Sequence, residues 1–386
     1  MTQRHPEGIL GSLGEERKLI FISVLLRFPI SAGLGVGFVT DLSLCMQDKK
    51  IGIGIVGATG WVAGEYIKAT KKNPHSQVVA LCSRSREGAE KIQNEYGLTG
   101  QIYTHYPEML KQEDLDLVVI CTPDFLHAEQ GIQAAEAGKH LIIEKAIALN
   151  LKDLRALQSA VNQARIKTVV SFVLRWNPMI NLLRSLVAKD AIGVLFYAEV
   201  DYLHGRREHY RSYEWSRKIA TGGSALLGAG CHAVDTLRYL VGSEAIEVTA
   251  YAGGYDKNYE YPPTIVTIMK FKNGVIGKVG CSREVRMPYM LPIKLFGSRG
   301  SILDNKLFSE TLFPGQTDFA LIPTNIPSSG DVTHHPFQDE VNHIIDCILK
   351  DQTPQPDVND AVMTHEICLA ADLSAKEGCS VKLPFP

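Results

Sequence analysis

Ile51-Gly52-Ile53-Gly54-Ile55-Val56-Gly57-Ala58-Thr59-Gly60-Trp61-Val62-Ala63-Gly64 decides the fold, because an apolar run passes through a glycine-rich turn directly into a helical pattern. Glycine lets the backbone turn tightly there and lets a pyrophosphate reach the free N–H groups at a helix N-terminus. The pattern departs from G-x-G-x-x-G, with Thr59 where glycine is wanted and Val62 where glycine or alanine is wanted. On its own such a loop also describes an ordinary tight βα turn. Its place after the first strand of a repeated βα unit is what predicts a dinucleotide site at Gly57, Ala58, Thr59, Gly60 and Trp61.

Apolar runs follow at residues 78–82, 115–121, 140–144 and 168–173, and each reads as a buried strand. Helical periodicity separates them at 63–72, 86–96, 126–137 and 151–164, the last with Leu151, Leu154, Leu157 and Val161 on one face. Strand and helix in alternation predict a doubly wound parallel sheet of Rossmann type over residues 49–173. After Arg175 strands follow strands, at 194–204, 246–254, 264–271, 275–285 and 293–298, with helices at 179–189, 224–240, 337–350 and 360–377. Asn273-Gly274 between two of these runs predicts a type I′ hairpin, in which both residues take positive φ. Residues 174–386 are therefore expected to form a second α/β domain with a mostly antiparallel sheet, and the fold class is α/β.

The chain has 386 residues, with 40 Lys and Arg against 42 Asp and Glu. A net charge of −2 offers no basic excess for a nucleic-acid backbone or an anionic membrane, so neither is expected as a partner. The eight cysteines form no C-x-x-C and no cluster with zinc spacing, which predicts reduced thiols and a cytoplasmic protein. Before residue 49 the apolar stretch Leu19 to Leu26 is cut off by Arg27 and Pro29, too short for a membrane span. Arg17 and Lys18 imitate the start of a secretory signal, but no small-x-small cleavage site follows. Residues 1–48 are expected to be a non-native or disordered extension, with Met46, five residues before the first strand, as the natural start.

At the end of the second strand an NAD-selective site carries an acid for the ribose hydroxyls. Here the segment is Ser83-Arg84-Ser85-Arg86. Two hydroxyls and Arg84 suit a 2′-phosphate, so Ser83 and Arg84 join the predicted cofactor site and NADP is expected, with NAD still open.

Further motifs stand in order: Thr122-Pro123-Asp124-Phe125-Leu126-His127, Glu144-Lys145-Ala146, Arg175-Trp176-Asn177-Pro178, Gly222-Gly223-Ser224-Ala225, and Gly230-Cys231-His232-Ala233-Val234-Asp235. Together they resemble the glucose-fructose oxidoreductase, inositol dehydrogenase and rhizopine-catabolism (Gfo/Idh/MocA) family over about residues 49 to 386. The resemblance implies a Rossmann domain, a second domain whose open sheet forms an oligomer interface, and hydride transfer at a secondary alcohol of a sugar, inositol or related polyol. It implies a homodimer or homotetramer. It places Thr122, Pro123, His127, Glu144, Lys145 and Arg175 beside the cofactor, and Lys145, Tyr202, His232 and Asp235 beside the substrate. The family's Glu-Lys-Pro motif falls on Glu144, Lys145 and Ala146, without the proline. Its Asp-x-x-x-His motif falls on Gly228 and His232, without the aspartate.

The chemistry of these residue types agrees. Oxidising a carbinol requires a group that takes the hydroxyl proton, and histidine is suited to it near neutral pH. His232 is the expected base, with Asp235 one helical turn on to orient it or to bind a substrate hydroxyl. Lys145, at the ligand-binding edge of a parallel sheet, is expected to stabilise a developing alkoxide, and stands as an alternative base. Tyr202 and His204 alternate along a strand and share one face. Trp215, Arg217 and the pair His334-His335 are weaker candidates. No metal is called for, since a nicotinamide supplies the electron sink. Two other activities fit the same residues: a redox-neutral glycosidase or lyase that retains its nicotinamide, and a non-catalytic protein that senses NAD(P).

Overall fold

The computed structural model describes residues 50–205, 208, 210, 212–324 and 335–385. The expected extension, Met46 and His334 lie outside them. The opening run forms β1 (Ile51–Val56), and all six residues are buried, as the middle of a two-sided sheet requires. Parallel neighbours flank it, β2 (Ser76–Cys82) on one side and β4 (Leu117–Ile120) on the other. With β3 (Gln101–Tyr103), β5 (His140–Ile143) and β6 (Thr168–Val170) the order is β3-β2-β1-β4-β5-β6. Helices α1 (Trp61–Lys72), α2 (Arg86–Tyr96), α3 (Tyr106–Met109), α4 (His127–Glu136) and α5 (Leu151–Ala164) connect the strands. Strand order reverses between β1 and β4, which opens the crevice at the strands' C-terminal ends where such sheets bind ligands. The predicted strands and helices of this half are present. β3 and α3 are additions, too short to carry a periodic signal, and the run 168–173 stops as a strand at Val170.

The second sheet contains β7 (Leu195–Val200), β8 (Tyr202–Leu203), β9 (Ala245–Gly253), β10 (Thr264–Phe271), β11 (Ile276–Ser282), β12 (Ile293–Gly297), β13 (Gly300–Leu303), β14 (Lys306–Ser309), β15 (Ala320–Leu321) and β16 (Val381–Lys382). Their order is β15-β14-β13-β12-β7-β11-β10-β9-β16, with β8 beside β11. Every pairing is antiparallel except those of β11 with β7 and β8. The helices here are α6 (Pro178–Ala188), α7 (Tyr213–Ser216), α8 (Ile219–Gly222), α9 (Cys231–Val241), α10 (Phe337–Leu349) and α11 (Val358–Glu377).

Three expectations change. The strand expected over 194–204 breaks at Asp201, whose carboxylate accepts the Gly280 N–H at 2.5 Å and the Lys278 ammonium at 2.8 Å. The hairpin at Asn273-Gly274 is not type I′. Gly274 alone has positive φ, at 90°, while Phe271 N–H donates to Val275 O and Gly274 N–H to Phe271 O, a three-residue loop with glycine in the left-handed position. The helix expected over 224–240 begins with a π turn, Leu226–Gly230, before α9.

Helix α10, assigned by sequence to the second domain, packs in the core of the first. Phe337, Val341, Ile344 and Ile345 share one hydrophobic cluster with Ile53, Ile55, Tyr66 and Ile67. Helix α11 also reaches back. His365 Nδ1–H donates to Ala361 O at 2.8 Å, and its Nε2 accepts the Ile147 N–H at 3.0 Å. Burial drives the His365 pKa down to about 4, which keeps that acceptor free of a proton. Among the described residues no helix is long and apolar enough to cross a membrane.

Candidate active site

The crevice is lined first by the glycine-rich turn. Gly57 has φ of +80°, and a Cβ there would lie 2.7 Å from the Cys121 carbonyl, so only glycine fits. Gly60 precedes α1 with no side-chain cap, and no acidic residue stands in the helix's first turn. The Gly57 and Ala58 N–H groups donate to Cys82 O and that of Gly60 to Gly57 O, which fixes the turn, so the donors left for an anion are the uncapped first-turn N–H groups of α1, and that end suits a dinucleotide pyrophosphate. At the end of β2, Ser83 is buried with its Oγ 3.4 Å from Thr59 Oγ1, and Arg84 is exposed. Ser85 is spent on capping α2, accepting the Gly88 N–H at 3.0 Å.

Across the crevice, β5 runs into Glu144 and Lys145, and the Lys145–Ala146 peptide is cis. Lys145 Nζ donates to Gly228 O at 3.3 Å, joining the end of β5 to the π turn that leads into α9. His232, in the first turn of α9, is buried between Tyr202, stacked on it at 5.9 Å, and Phe172, edge-on at 6.1 Å. Its Nδ1 has no hydrogen-bond partner. Burial first, then the positive charges of Lys145 and His335, hold its pKa well below the ordinary 6.5. The ring is thus a neutral, unengaged imidazole beside an ammonium, which is what a base for a hydroxyl proton requires.

Five expected site residues are engaged elsewhere. Asp235 does not orient His232: Arg175 grips it with Nε at 2.8 Å and Nη2 at 2.7 Å, and Thr364 Oγ1 lies at 3.1 Å. Arg175 is correspondingly saturated, with Asp360 at 2.5 Å as well, and is not available to a cofactor. His127 is fully buried, its Nδ1 2.8 Å from Ala146 O and its Nε2 2.7 Å from Thr122 O. It staples two crevice loops together and touches no ligand space, because both ring nitrogens are taken by backbone carbonyls. Glu144 faces inward, where Tyr66 Oη donates to it at 3.2 Å, and burial raises its pKa against the pull of Lys145. Thr122 spends its hydroxyl on Gln130 at 2.6 Å, and Pro123 leads into a short 3-10 turn. Arg217 is likewise occupied, by Glu214 and by Asn258 O.

Sequence reasoning missed two groups. Glu340 on α10 completes a buried cluster with Tyr66 and Ser171, its Oε2 at 3.0 and 3.3 Å from their hydroxyls. Arg283, just past β11, is buried against Gly228. Neither carried a signal: Glu340 is one acid among several in a helical stretch, and Arg283 falls within the run 275–285, read only as a strand.

Residues 51–172 match the family described as "Oxidoreductase family, NAD-binding Rossmann fold", and residues 180–303 match the GFO/IDH/MocA C-terminal domain. A scyllo-inositol 2-dehydrogenase (NAD(+)) of Bacillus subtilis is 25% identical over 317 residues, covering 80% of this chain and 90% of that protein. Levoglucosan dehydrogenase of Pseudarthrobacter phenanthrenivorans is 30% identical over 223 residues, 51% of this chain and 57% of that protein. Among solved structures, an oxidoreductase domain protein from Kribbella flavida superposes with a TM-score of 0.79 at 25% identity, covering 88% of this chain and all of that one. A levoglucosan dehydrogenase in complex with NADH and L-sorbose shares the fold with a TM-score of 0.80 at 22% identity, over 88% of this chain and 100% of that one.

Proposed function

We propose, from the premise that this chain belongs to the Gfo/Idh/MocA oxidoreductase family, that it transfers a hydride between a nicotinamide dinucleotide and a secondary alcohol of a sugar, inositol or related polyol. The observation that carries the reading is His232, buried, held neutral and unpartnered at Nδ1, next to the Lys145 ammonium at the ligand edge of the parallel sheet. Bound nicotinamide would supply the electron sink. In the oxidising direction the carbinol carbon gives up hydride, the hydroxyl proton passes to His232, and the C=O bond forms. Lys145 donates a hydrogen bond to that oxygen and stabilises its negative charge. Tyr202 holds the imidazole plane by stacking and lines the same space. Relatives named for scyllo-inositol and levoglucosan support a polyol or sugar as substrate.

NADP is the preferred cofactor in this reading, because Thr59, Ser83 and exposed Arg84 stand where a ribose-binding carboxylate would otherwise select NAD. The protein is a cytoplasmic homodimer or homotetramer, joined through the open face of the second sheet, where Val266, Ile268 and Tyr251 are exposed. The test is reduced-nicotinamide absorbance after mixing the protein with NADP or NAD and a panel of sugars, inositols and anhydrosugars. A rise with one compound is expected. The reading fails if none of the panel gives a rise, and nicotinamide that stays bound without turnover would point instead to redox-neutral chemistry. For the cofactor, Arg84→Ala should raise KM for NADPH about 10-fold and leave that for NADH unchanged, in line with one lost charge-assisted phosphate contact. Equal effects on both would remove the NADP preference.

A further inference from the structure

Arg283 is the bulkiest fully buried side chain of the described residues, 1% exposed, and none of its three guanidinium nitrogens has a hydrogen-bond partner. The other buried arginines are satisfied: Arg175 by Asp235 and Asp360, Arg238 by Glu244 and Asp360. A guanidinium stays charged in a protein, so one buried with all its donors unused is waiting for an anion. The groups whose charge acts on it most, Tyr261, Tyr259, Cys281 and Tyr202, include no carboxylate. Asp372, which acts on the neighbouring Cys281, is engaged with Ser224, and the adjacent Glu284 accepts from Thr264 Oγ1 and from the Tyr255 and Asp256 N–H groups.

Its place is telling. Arg283 Nη1 lies 2.5 Å from where a Cβ on Gly228 would be, so it occupies the position that a side chain at 228 would enter. The carbonyl of the same Gly228 receives Lys145 Nζ, and one turn further on stands His232. Tyr202 links the two sides, stacking on His232 while acting on Arg283. Two cations and a neutral base thus stand around one glycine, and among the described residues Glu144 acts on Lys145 while no carboxylate is paired with Arg283. The planar fork of a guanidinium matches a carboxylate with two parallel hydrogen bonds.

We propose that Arg283 receives a carboxylate of the substrate, so that the alcohol oxidised beside Lys145 and His232 belongs to a sugar or polyol acid such as an aldonate or uronate. This rests on the dehydrogenase reading and narrows its substrate class. The experiment uses the full chain saturated with NADP, and measures binding by calorimetry and turnover by absorbance. Its probes are D-gluconate, D-glucuronate, D-glucose, myo-inositol and D-glucose 6-phosphate. At least one carboxylate should bind about 10-fold or more tighter than its neutral counterparts, and Arg283→Gln should bring that ratio to about 1, as loss of a buried charged partner does. Because Arg283 is buried, Gly228→Asp serves as the second variant: it places a carboxylate on the chain next to Nη1 and should abolish the same preference. Neutral sugars binding as well as every carboxylate, or no binding by any carboxylate, would overturn the proposal. So would a preference that survives in both folded variants, and a preference for the phosphate alone would reassign Arg283 to another anion. Arg283-dependent carboxylate binding with no reduced nicotinamide would keep the anion site and sink the hydride-transfer reading instead.

Discussion

His232 has a buried Nδ1 that meets no acceptor or donor, and its neighbours all disfavour the imidazolium. A base in that condition stays ready at pH values where free histidine is half protonated. The acid limb of kcat/KM should therefore fall below pH 6.5, and a pH-rate profile breaking at or above that value would show that another group takes the proton. Lys145→Ala and His232→Ala should each lower turnover about 100-fold or more while leaving cofactor affinity largely intact, as loss of acid-base or alkoxide stabilisation does. Titration of nicotinamide binding by fluorescence separates that outcome from simple misfolding. The order of their motifs is what singles out His232 and Lys145 in the sequence, and the fold brings both to Gly228. Asp235 was placed correctly on α9, but its partner was not legible: Arg175 lies 60 residues away, and only the packing of α9 on the turn after β6 brings the two together.

Among the elements, α10 carries a group whose effect is on stability. Glu340 is fully buried, its Oε2 accepts from the hydroxyls of Tyr66 and Ser171, and among the described residues its Oε1 has no partner. Burial raises its pKa well above 4.5, and the nearby Glu144 adds to the rise. A carboxyl raised in the folded state keeps its proton after the unfolded chain has lost its own. Its contribution is therefore fully present below the ordinary carboxylate range and is lost as pH rises toward the folded value. Glu340→Gln removes that dependence. The variant should match the wild type in melting temperature near pH 4, then gain on it as pH rises, by at most about 1.4 kcal/mol per unit. Parallel curves from pH 4 to about pH 8 would show that Glu340 does not titrate against folding. Periodicity exposed the long elements of this fold, from β1 to α5 and from β9 to β11. It did not expose the π turn at Leu226–Gly230, because the apolar pattern runs through it into α9 although Gly228 and Gly230 weaken the helix there. There the widening comes with close approach to the sheet, since a Cβ on Gly230 would lie 2.9 Å from Cys281.

At the scale of the whole molecule, β10 alternates cleanly, burying Ile265, Thr267, Met269 and Phe271 and exposing Val266 and Ile268. Tyr251, opposite Val266 on β9, adds to the same exposed face. An apolar sheet face of this kind calls for a partner surface. Light scattering should give at least twice the 42.5 kDa chain mass, and Ile268→Glu should return the protein to a monomer. A monomeric wild type at micromolar concentration would rule out the assembly. The division of the chain at residue 173 followed the change from alternating to consecutive strands, but sequence distance hid the return of α10 and α11 to the first sheet. That return has a consequence for how the enzyme is made. The Ile147 N–H beside Lys145 is held by His365, some 220 residues downstream, and Val170 by the Pro356 carbonyl. Translation therefore delivers the whole first sheet, and the second from β7 to β15, before it delivers the strap that braces the reactive loop. A message broken by a stop codon after Lys350 would yield nearly the whole protein without either of these two braces.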